Sequence, residues 1–195
     1  VKDYNNSGLS LLEISHRSKE FVNVMSESRR MALHLLDLDE NEYTSLFLQG
    51  GARLQFLMIA YNFLDSKAGY VDTGSWSTKA MKEAKLFGEV IEIASSKENN
   101  FNYIPKDYKI SDDMDYAHIT TNNTIYGTQF HKIPESPCPL FSDMSSDIFS
   151  RNLDFNEFDL IYAGAQKNIG PAGATLVVLK KEILESICRT VPSML

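Results

Sequence analysis

The chain has 195 residues, of which 43% are hydrophobic, so it is long enough to bury one substantial core. Its net charge of −7 argues against a nucleic-acid partner, because phosphate backbones are bound by clustered Lys and Arg side chains. The apolar runs are far shorter than the roughly 20 residues that a membrane-spanning helix needs, so no membrane association is expected.

Short apolar runs rich in β-branched and aromatic residues alternate with longer stretches of helical period. This alternation is typical of βαβ units and predicts an α/β fold, with a mostly parallel sheet flanked by helices. The first element is an amphipathic helix over residues 18–38, with an apolar stripe of Phe21, Val24, Met25, Met31, Leu35 and Leu38. Further helices are predicted at 54–63, 77–87 and 181–188, and strands at 45–48, 70–72, 90–94, 116–120, 140–143, 160–162 and 175–179.

Polar residues follow several of these apolar runs, where ligands of open α/β sheets bind. They lie at 50–53, 74–76, 121–124, 143–146 and 164–167. In the first, a glycine turn opens a helix and could bring backbone N–H groups and Arg53 close to a phosphate. From this motif alone, a tight strand-to-helix connection with a solvated arginine is the more common explanation.

Asp143 and Lys167 both follow predicted strands and can reach one rim of the sheet. A pyridoxal cofactor needs a lysine amine for attachment, and an aspartate commonly keeps its ring nitrogen protonated. A structural salt bridge, or two unrelated surface charges, would give the same pattern.

Other polar and aromatic residues leave alternatives open. Trp76 could lie flat on a planar ring or pack in the core. Arg17, next to His16 in a polar step before the first helix, could clamp a carboxylate. His34 and His118 fall within predicted elements, where structural roles are expected. No cluster has metal-ligand spacing, so no metal is expected.

Six segments of the chain, in order, resemble the phosphoserine aminotransferases, a class-V family of fold-type I pyridoxal-phosphate enzymes. The most specific segment contains Gly164, Ala165, Gln166 and Lys167 and continues to Gly173. The segments are residues 13–21, 49–56, 72–76, 122–127, 143–151 and 161–173.

The resemblance implies that residues 1–195 form the large domain of such an enzyme and bind pyridoxal 5'-phosphate. Lys167 would carry the cofactor and move the proton at the substrate Cα, and Asp143 would pair with the pyridine nitrogen. Trp76 would stack on the ring and Thr124 would contact its hydroxyl side. At the cofactor phosphate the resemblance implies Ala52, Arg53 and Gln166, with Ala52 standing where family members often have glycine. On the substrate side it implies His16 and Arg17.

The implied reaction moves an amino group between L-glutamate and 3-phosphohydroxypyruvate, giving O-phosphoserine, and a related hydroxythreonine phosphate is a second substrate of such enzymes. Family members are homodimers whose neighbouring subunit completes the active site. They start earlier than this chain and continue into a smaller C-terminal domain, so a truncated large domain is expected. The two cysteines, Cys138 and Cys188, are expected as reduced thiols in the cytoplasm.

Two other functions remain open. Another fold-type I enzyme, such as a cysteine desulfurase, would need a catalytic loop cysteine, and Cys188 is expected in a helix instead. The chain could also be a catalytically incomplete module that only binds cofactor or assembles with a partner.

Overall fold

A computed structural model describes residues 3–190. Within this range, the α-helices are α1 (Lys19–Leu35), α2 (Arg53–Phe63) and α3 (Ser75–Ala84). The strands are β1 (Tyr43–Gln49), β2 (Lys67–Asp72), β3 (Glu89–Ser95), β4 (Tyr116–Thr120), β5 (Asn122–Asn123), β6 (Thr128–Gln129), β7 (Leu140–Asp143), β8 (Leu160–Gly164) and β9 (Ala174–Lys180). Short 3₁₀ helices lie at Lys97–Asn99, Phe155–Glu157 and Lys181–Ser186. No described helix is long and apolar enough to cross a bilayer.

Seven strands form one mixed sheet in the order β1-β9-β8-β7-β4-β2-β3. The five strands from β8 to β3 are mutually parallel, and β9 is antiparallel to both of its neighbours. β5 and β6 form a separate two-stranded hairpin. The predicted mostly parallel sheet with flanking helices is therefore confirmed, and all seven predicted strands are present.

Helices cover the sheet on both faces, which explains why β4, β7 and β8 are buried along their whole length. On one face Leu33 of α1 belongs to the same core cluster as Ile161. On the other face Phe56 of α2 packs edge-on against Tyr162, with ring centroids 6.2 Å apart. Neighbouring residues of β8 thus serve opposite layers, as strand geometry requires.

The first helix is shorter than predicted and turns a different face to the core. Ser18 caps it by accepting a hydrogen bond from Phe21 N at 3.2 Å. It ends because Asp37 adopts a left-handed φ of 54°, and Leu38 N donates back to Leu33 O at 3.1 Å in a Schellman arrangement. The predicted stripe is wrong at Met31 and Leu35, which are 53% and 57% exposed, whereas Ala32, Leu33 and Leu36 are buried.

The predicted closing helix over 181–188 is correct in position but wrong in helix type and length. The segment forms a 3₁₀ helix that stops at Ser186, and Cys188 lies beyond it. Long-range bonds hold this tail, because Cys188 N donates to Asn62 O at 3.0 Å and the Arg189 guanidinium donates to carbonyls of α2. Cys188 therefore lies outside a helix, with its Sγ donating to Asn62 O at 3.2 Å.

Candidate active site

The candidate site lies at the carboxyl edge of the central strands. β7 ends at Asp143 and β8 at Gly164, and because these strands are parallel their ends lie side by side. Register pairs Asp143 with Thr120 of β4 on one side and with Tyr162 of β8 on the other. All three side chains therefore share the sheet face that α2 and α3 cover.

Asp143 is a buried carboxylate, 6% exposed. Burial raises the pKa of Asp143 above its ordinary value. The hydrogen bond that its Oδ1 accepts from Ser145 N, at 2.9 Å, and the positive charge of Lys167 both work against that rise. A charged Asp143 is therefore favoured when a cationic group lies against it.

Lys167 lies three residues beyond the end of β8 and is exposed. Its Nζ donates to Thr124 Oγ1 at 3.2 Å. Across residues 3–190 no ion pair joins Lys167 to Asp143, although the lysine charge lowers the pKa of that carboxyl. The amine and the carboxylate thus occupy one edge of the sheet without neutralising each other directly.

Thr124 is held by the turn of the β5–β6 hairpin, which packs against the start of α3. Asn123 is buried and donates from Nδ2 to Thr73 Oγ1 at 3.1 Å. Tyr126 and Ser75 hydroxyls are 3.1 Å apart. The contact is close, since a Cβ on Gly74 would lie 2.9 Å from Asn123 Oδ1 and the asparagine side chain would have to shift. The hairpin therefore links Thr124 to the helix that carries Trp76.

Trp76 is half-buried as the second residue of α3, and Lys79 Nζ lies 4.4 Å from its ring centroid. The start of α3 is fixed by Ser77, whose Oγ accepts from Thr73 N and donates to buried Asp72 Oδ1 at 2.7 Å. Trp76 is thus placed at the carboxyl edge by a rigid helix start and belongs partly to the core.

The glycine turn connects β1 to α2 and lies beside the loop that carries Lys167. Gly50 N donates to Gly173 O at 2.9 Å, and Thr175 Oγ1 donates to Gly50 O at 3.0 Å. Ala52 is buried just before the helix, whereas Arg53, its first residue, is exposed. A helix start with an arginine therefore lies beside the loop that carries Lys167.

Three other predicted site residues are exposed. Gln166 folds over Gly164, where a Cβ would lie 2.7 Å from its Oε1. His16 and Arg17 lie before α1, and within residues 3–190 neither side chain makes a hydrogen bond or ion pair to Asp143 or Lys167. The substrate roles of His16 and Arg17 remain predictions.

Sequence reasoning missed the polar support behind Asp143. Thr121 Oγ1 donates to buried Asp147 Oδ1 at 2.6 Å, and Arg151 pairs with the same carboxylate at 2.9 Å. Ser145 Oγ accepts from Gly164 N at 3.1 Å, which ties the turn after Asp143 to β8. The i,i+4 spacing of Asp147 and Arg151 was a visible signal, but the contact of Thr121 depends on the tertiary fold.

Metal ligation has no counterpart in the described part of the chain, where no three His, Cys, Asp or Glu side chains group together. His34 is exposed on α1 and His118 is buried in β4. The chemistry available at the sheet edge is therefore that of an amine, a carboxylate, an aromatic ring and several hydroxyls.

Comparison with known proteins shows which family the chain belongs to. The family model for class-V aminotransferases matches residues 1–193. The phosphoserine aminotransferase of Flavobacterium johnsoniae is 60% identical over 197 residues, which cover all of this chain and 55% of that protein. The chain therefore spans about half the length of the curated relatives it matches.

Solved structures agree in fold. Phosphoserine aminotransferase from Bacillus circulans subsp. alkalophilus matches with a TM-score of 0.93 and 44% identity, over 98% of this chain and 54% of that one. The pyridoxal-phosphate-bound phosphoserine aminotransferase of Trichomonas vaginalis matches with a TM-score of 0.87 and 34% identity, over all of this chain and 55% of that one. The fold-type I architecture implied by the resemblance is confirmed.

Proposed function

The chain belongs to the class-V aminotransferase family, and we propose that it forms the cofactor-binding large domain of a phosphoserine aminotransferase, with pyridoxal 5'-phosphate carried by Lys167. The observation that carries the proposal is that an exposed lysine and a buried carboxylate lie beyond or at the ends of two neighbouring parallel strands. The 60% identity to a curated phosphoserine aminotransferase over the whole chain supports it.

The residues at the edge fit this cofactor. Asp143 has its pKa raised by burial, so a protonated ring nitrogen would restore the favourable environment that its negative charge lacks. Thr120 shares the face of Asp143, and its buried Oγ1 has no partner among the described residues. Trp76 offers a flat surface, and the α2 start with Arg53 offers N–H donors for a phosphate.

When bound, pyridoxal phosphate supplies an electron sink for the pair released as the substrate Cα–H bond breaks. Lys167 would hold the cofactor through its amine and, when that amine is free, would take and return the proton at the substrate Cα. Its bond to Thr124 Oγ1 holds the amine at the edge, and Thr124 would contact the hydroxyl side of the ring. Asp143 would stabilise the positive charge of the ring nitrogen.

The proposed reaction transfers an amino group between L-glutamate and 3-phosphohydroxypyruvate, giving O-phosphoserine. Ala52, Arg53 and Gln166 would bind the cofactor phosphate, and His16 and Arg17 the acidic groups of the substrate. Arg17 is suited to a carboxylate because its planar fork matches two oxygens. A cytoplasmic homodimer, in which the second subunit completes the site, is part of the proposal, as is use of the hydroxythreonine phosphate.

Two assays separate the complete function from cofactor capture. The chain alone is mixed with pyridoxal phosphate, and a violet-region absorbance band is expected as the aldehyde reacts with a lysine. The chain is then joined to the parts of the F. johnsoniae enzyme that it does not match. Glutamate-dependent conversion of 3-phosphohydroxypyruvate is expected from the joined protein.

The outcomes distinguish the competing functions. Capture by the chain with no transamination by the joined protein would favour a cofactor-binding or assembly module. Conversion of a different oxo acid, with 3-phosphohydroxypyruvate unused, would favour another fold-type I enzyme. Release of sulfur from cysteine would favour a desulfurase and draw attention to Cys188.

A further inference from the structure

A row of buried polar rings lies beneath Asp143 on the face that α2 and α3 cover. Its members are Tyr70, Tyr116, His118 and Tyr162, each at most 2% exposed. Most buried hydroxyl and imidazole groups in proteins are hydrogen-bonded. The reaction described above uses none of them, so their purpose needs a separate explanation.

The phenol of Tyr162 must cross β7 directly under Asp143. Tyr162 Oη lies 3.0 Å from His118 Nε2, although β7 separates the strands that carry the two residues. Register pairs Asp143 with Tyr162, and Phe141 with His118, so these side chains share one face. Strands are about 4.8 Å apart, and the phenol therefore spans β7 between Phe141 and Asp143.

The protonation of His118 decides where the Tyr162 hydrogen points. Burial lowers the pKa of His118 to about 3, so the ring is neutral near pH 7 and carries one N–H. Its Nδ1 is buried and has no partner among the described residues. A proton on Nδ1 would be an unpaired buried donor, so the proton belongs on Nε2, which donates to Tyr162 Oη.

With its oxygen accepting from His118, Tyr162 has its own hydrogen free, and the carboxylate that strand register places beside it on the same face is Asp143. We propose that Tyr162, oriented by His118, is a positioning residue that directs its hydroxyl hydrogen to the Asp143 carboxylate and fixes it for the ring nitrogen. The role in cofactor binding rests on the proposed function. Asp143 already raises the pKa of Tyr162, after burial itself, which agrees with this placement. The other charged groups acting on Asp143 are Lys167 and Asp147.

Tyr70 provides a matched control. It lies on the same face and is as deeply buried, and its ring stacks on His118 with centroids 4.9 Å apart. Its hydroxyl, however, lies 2.8 Å from that of Tyr116. Tyr70→Phe therefore removes one buried phenol hydroxyl from the same core without removing a donor to Asp143.

The test is a carboxyl titration of the chain without cofactor. The protein is labelled with ¹³C at aspartate carboxyls, and the Asp143 signal is identified by its loss in Asp143→Asn. Tyr162→Phe should raise the Asp143 titration midpoint by about one pH unit, because a donor to the charged form is lost. Tyr70→Phe should leave the midpoint in place. No shift in Tyr162→Phe, or equal shifts in both variants, would overturn the inference.

A second measurement covers the case in which Tyr162→Phe does not fold. Ring ¹⁵N shifts of His118 in the unsubstituted chain should show protonated Nε2 and bare Nδ1; the reverse tautomer would overturn the inference. Both measurements are made without cofactor. They can therefore fail while pyridoxal phosphate is still captured, and they can succeed when it is not.

Discussion

Two Asp–Lys pairs lie at opposite ends of the central strands, and they differ in one respect. At the amino edge Asp159, just before β8, pairs with Lys180 of β9 at 2.9 Å and accepts from Leu140 N at 2.7 Å. At the carboxyl edge Asp143 and Lys167 make no ion pair in the described structure, and Lys167 reaches Thr124 instead. The closed pair ties strands together, whereas the open pair keeps both charges available for chemistry.

The same contrast extends to other groups at the two edges. At the amino edge the guanidinium of Arg189 donates to Ala60 O, Tyr61 O and Phe87 O, and so satisfies the end of α2. At the carboxyl edge a buried Thr120 hydroxyl has no partner among the described residues. One unsatisfied polar group, Thr120 Oγ1, therefore lies where a ligand is proposed to bind.

The largest effect is expected on the transamination rate when Asp143, the carboxylate of the open pair, is neutralised. In the protein completed with F. johnsoniae sequence, Asp143→Asn should lower the transamination rate on the order of 10²- to 10³-fold, because charge at the ring nitrogen is no longer stabilised. Asp159→Asn, the same change in the closed pair, should lower it by less than threefold. Steady-state assays with glutamate and 3-phosphohydroxypyruvate measure both; equal losses would show that the edges do not differ in function.

At the amino edge, substitutions should change the stability of the fold. Arg189→Met removes three charge-assisted bonds to backbone carbonyls and should lower the free energy of unfolding by about 2 kcal/mol. Arg189→Lys keeps the charge but loses the planar fork, so its free energy of unfolding should lie between those of the unsubstituted protein and Arg189→Met. Urea denaturation of the three proteins checks this. An unchanged midpoint for Arg189→Met would mean that this end of α2 is satisfied by other groups.

In the chain without cofactor, neutralising Asp159 and neutralising Asp143 should change the free energy of unfolding in opposite directions. Asp159→Asn should destabilise by roughly 1 kcal/mol, as partly exposed ion pairs usually do. Asp143→Asn should stabilise near pH 7, because the pKa of Asp143 is raised by burial and its charge disfavours the folded state. For such a group, stability falls as pH rises from the unfolded pKa through the folded one, so the gain in Asp143→Asn should vanish in acid. Denaturation midpoints at pH 7 and pH 3 give both signs, and destabilisation by Asp143→Asn at pH 7 would contradict them.

The smallest effect is expected at Thr124. Thr124→Val keeps the shape but removes the acceptor of the Lys167 bond, and should weaken pyridoxal-phosphate binding about fivefold. Thr128→Val, on the second strand of the same hairpin, should leave affinity unchanged. Absorbance titration of both variants measures this, and a loss shared by the two would indicate damage to the hairpin alone.

Local pattern was sufficient for most of the architecture. The apolar runs at β4 and β7 are buried on both faces, so their bounds agree with prediction. Polar residues after parallel strands meet at one edge, which is why the sequence could place Asp143 and Lys167 there, whereas their roles came from the family resemblance and stay predictions. The end of α1 was missed because it depends on the left-handed backbone of Asp37, which is uncommon outside glycine and asparagine.

What the sequence did not predict depends on strands and tails that meet only in three dimensions. The bond between His118 and Tyr162 depends on β7 lying between β4 and β8, which periodicity along the chain does not specify. The 3₁₀ tail is held through Cys188 and Arg189 by α2, more than 120 residues away along the chain. For the same reason Met31 and Leu35 could not be placed by the helical period alone.

The most direct test of the central claim is to locate the lysine that captures the cofactor. The chain is incubated with pyridoxal phosphate, reduced with borohydride, digested and mapped by mass spectrometry, together with Lys167→Ala and Lys180→Ala variants. The account predicts an adduct on Lys167, lost in Lys167→Ala and kept in Lys180→Ala. An adduct on another lysine, retained at full yield in Lys167→Ala, would contradict it.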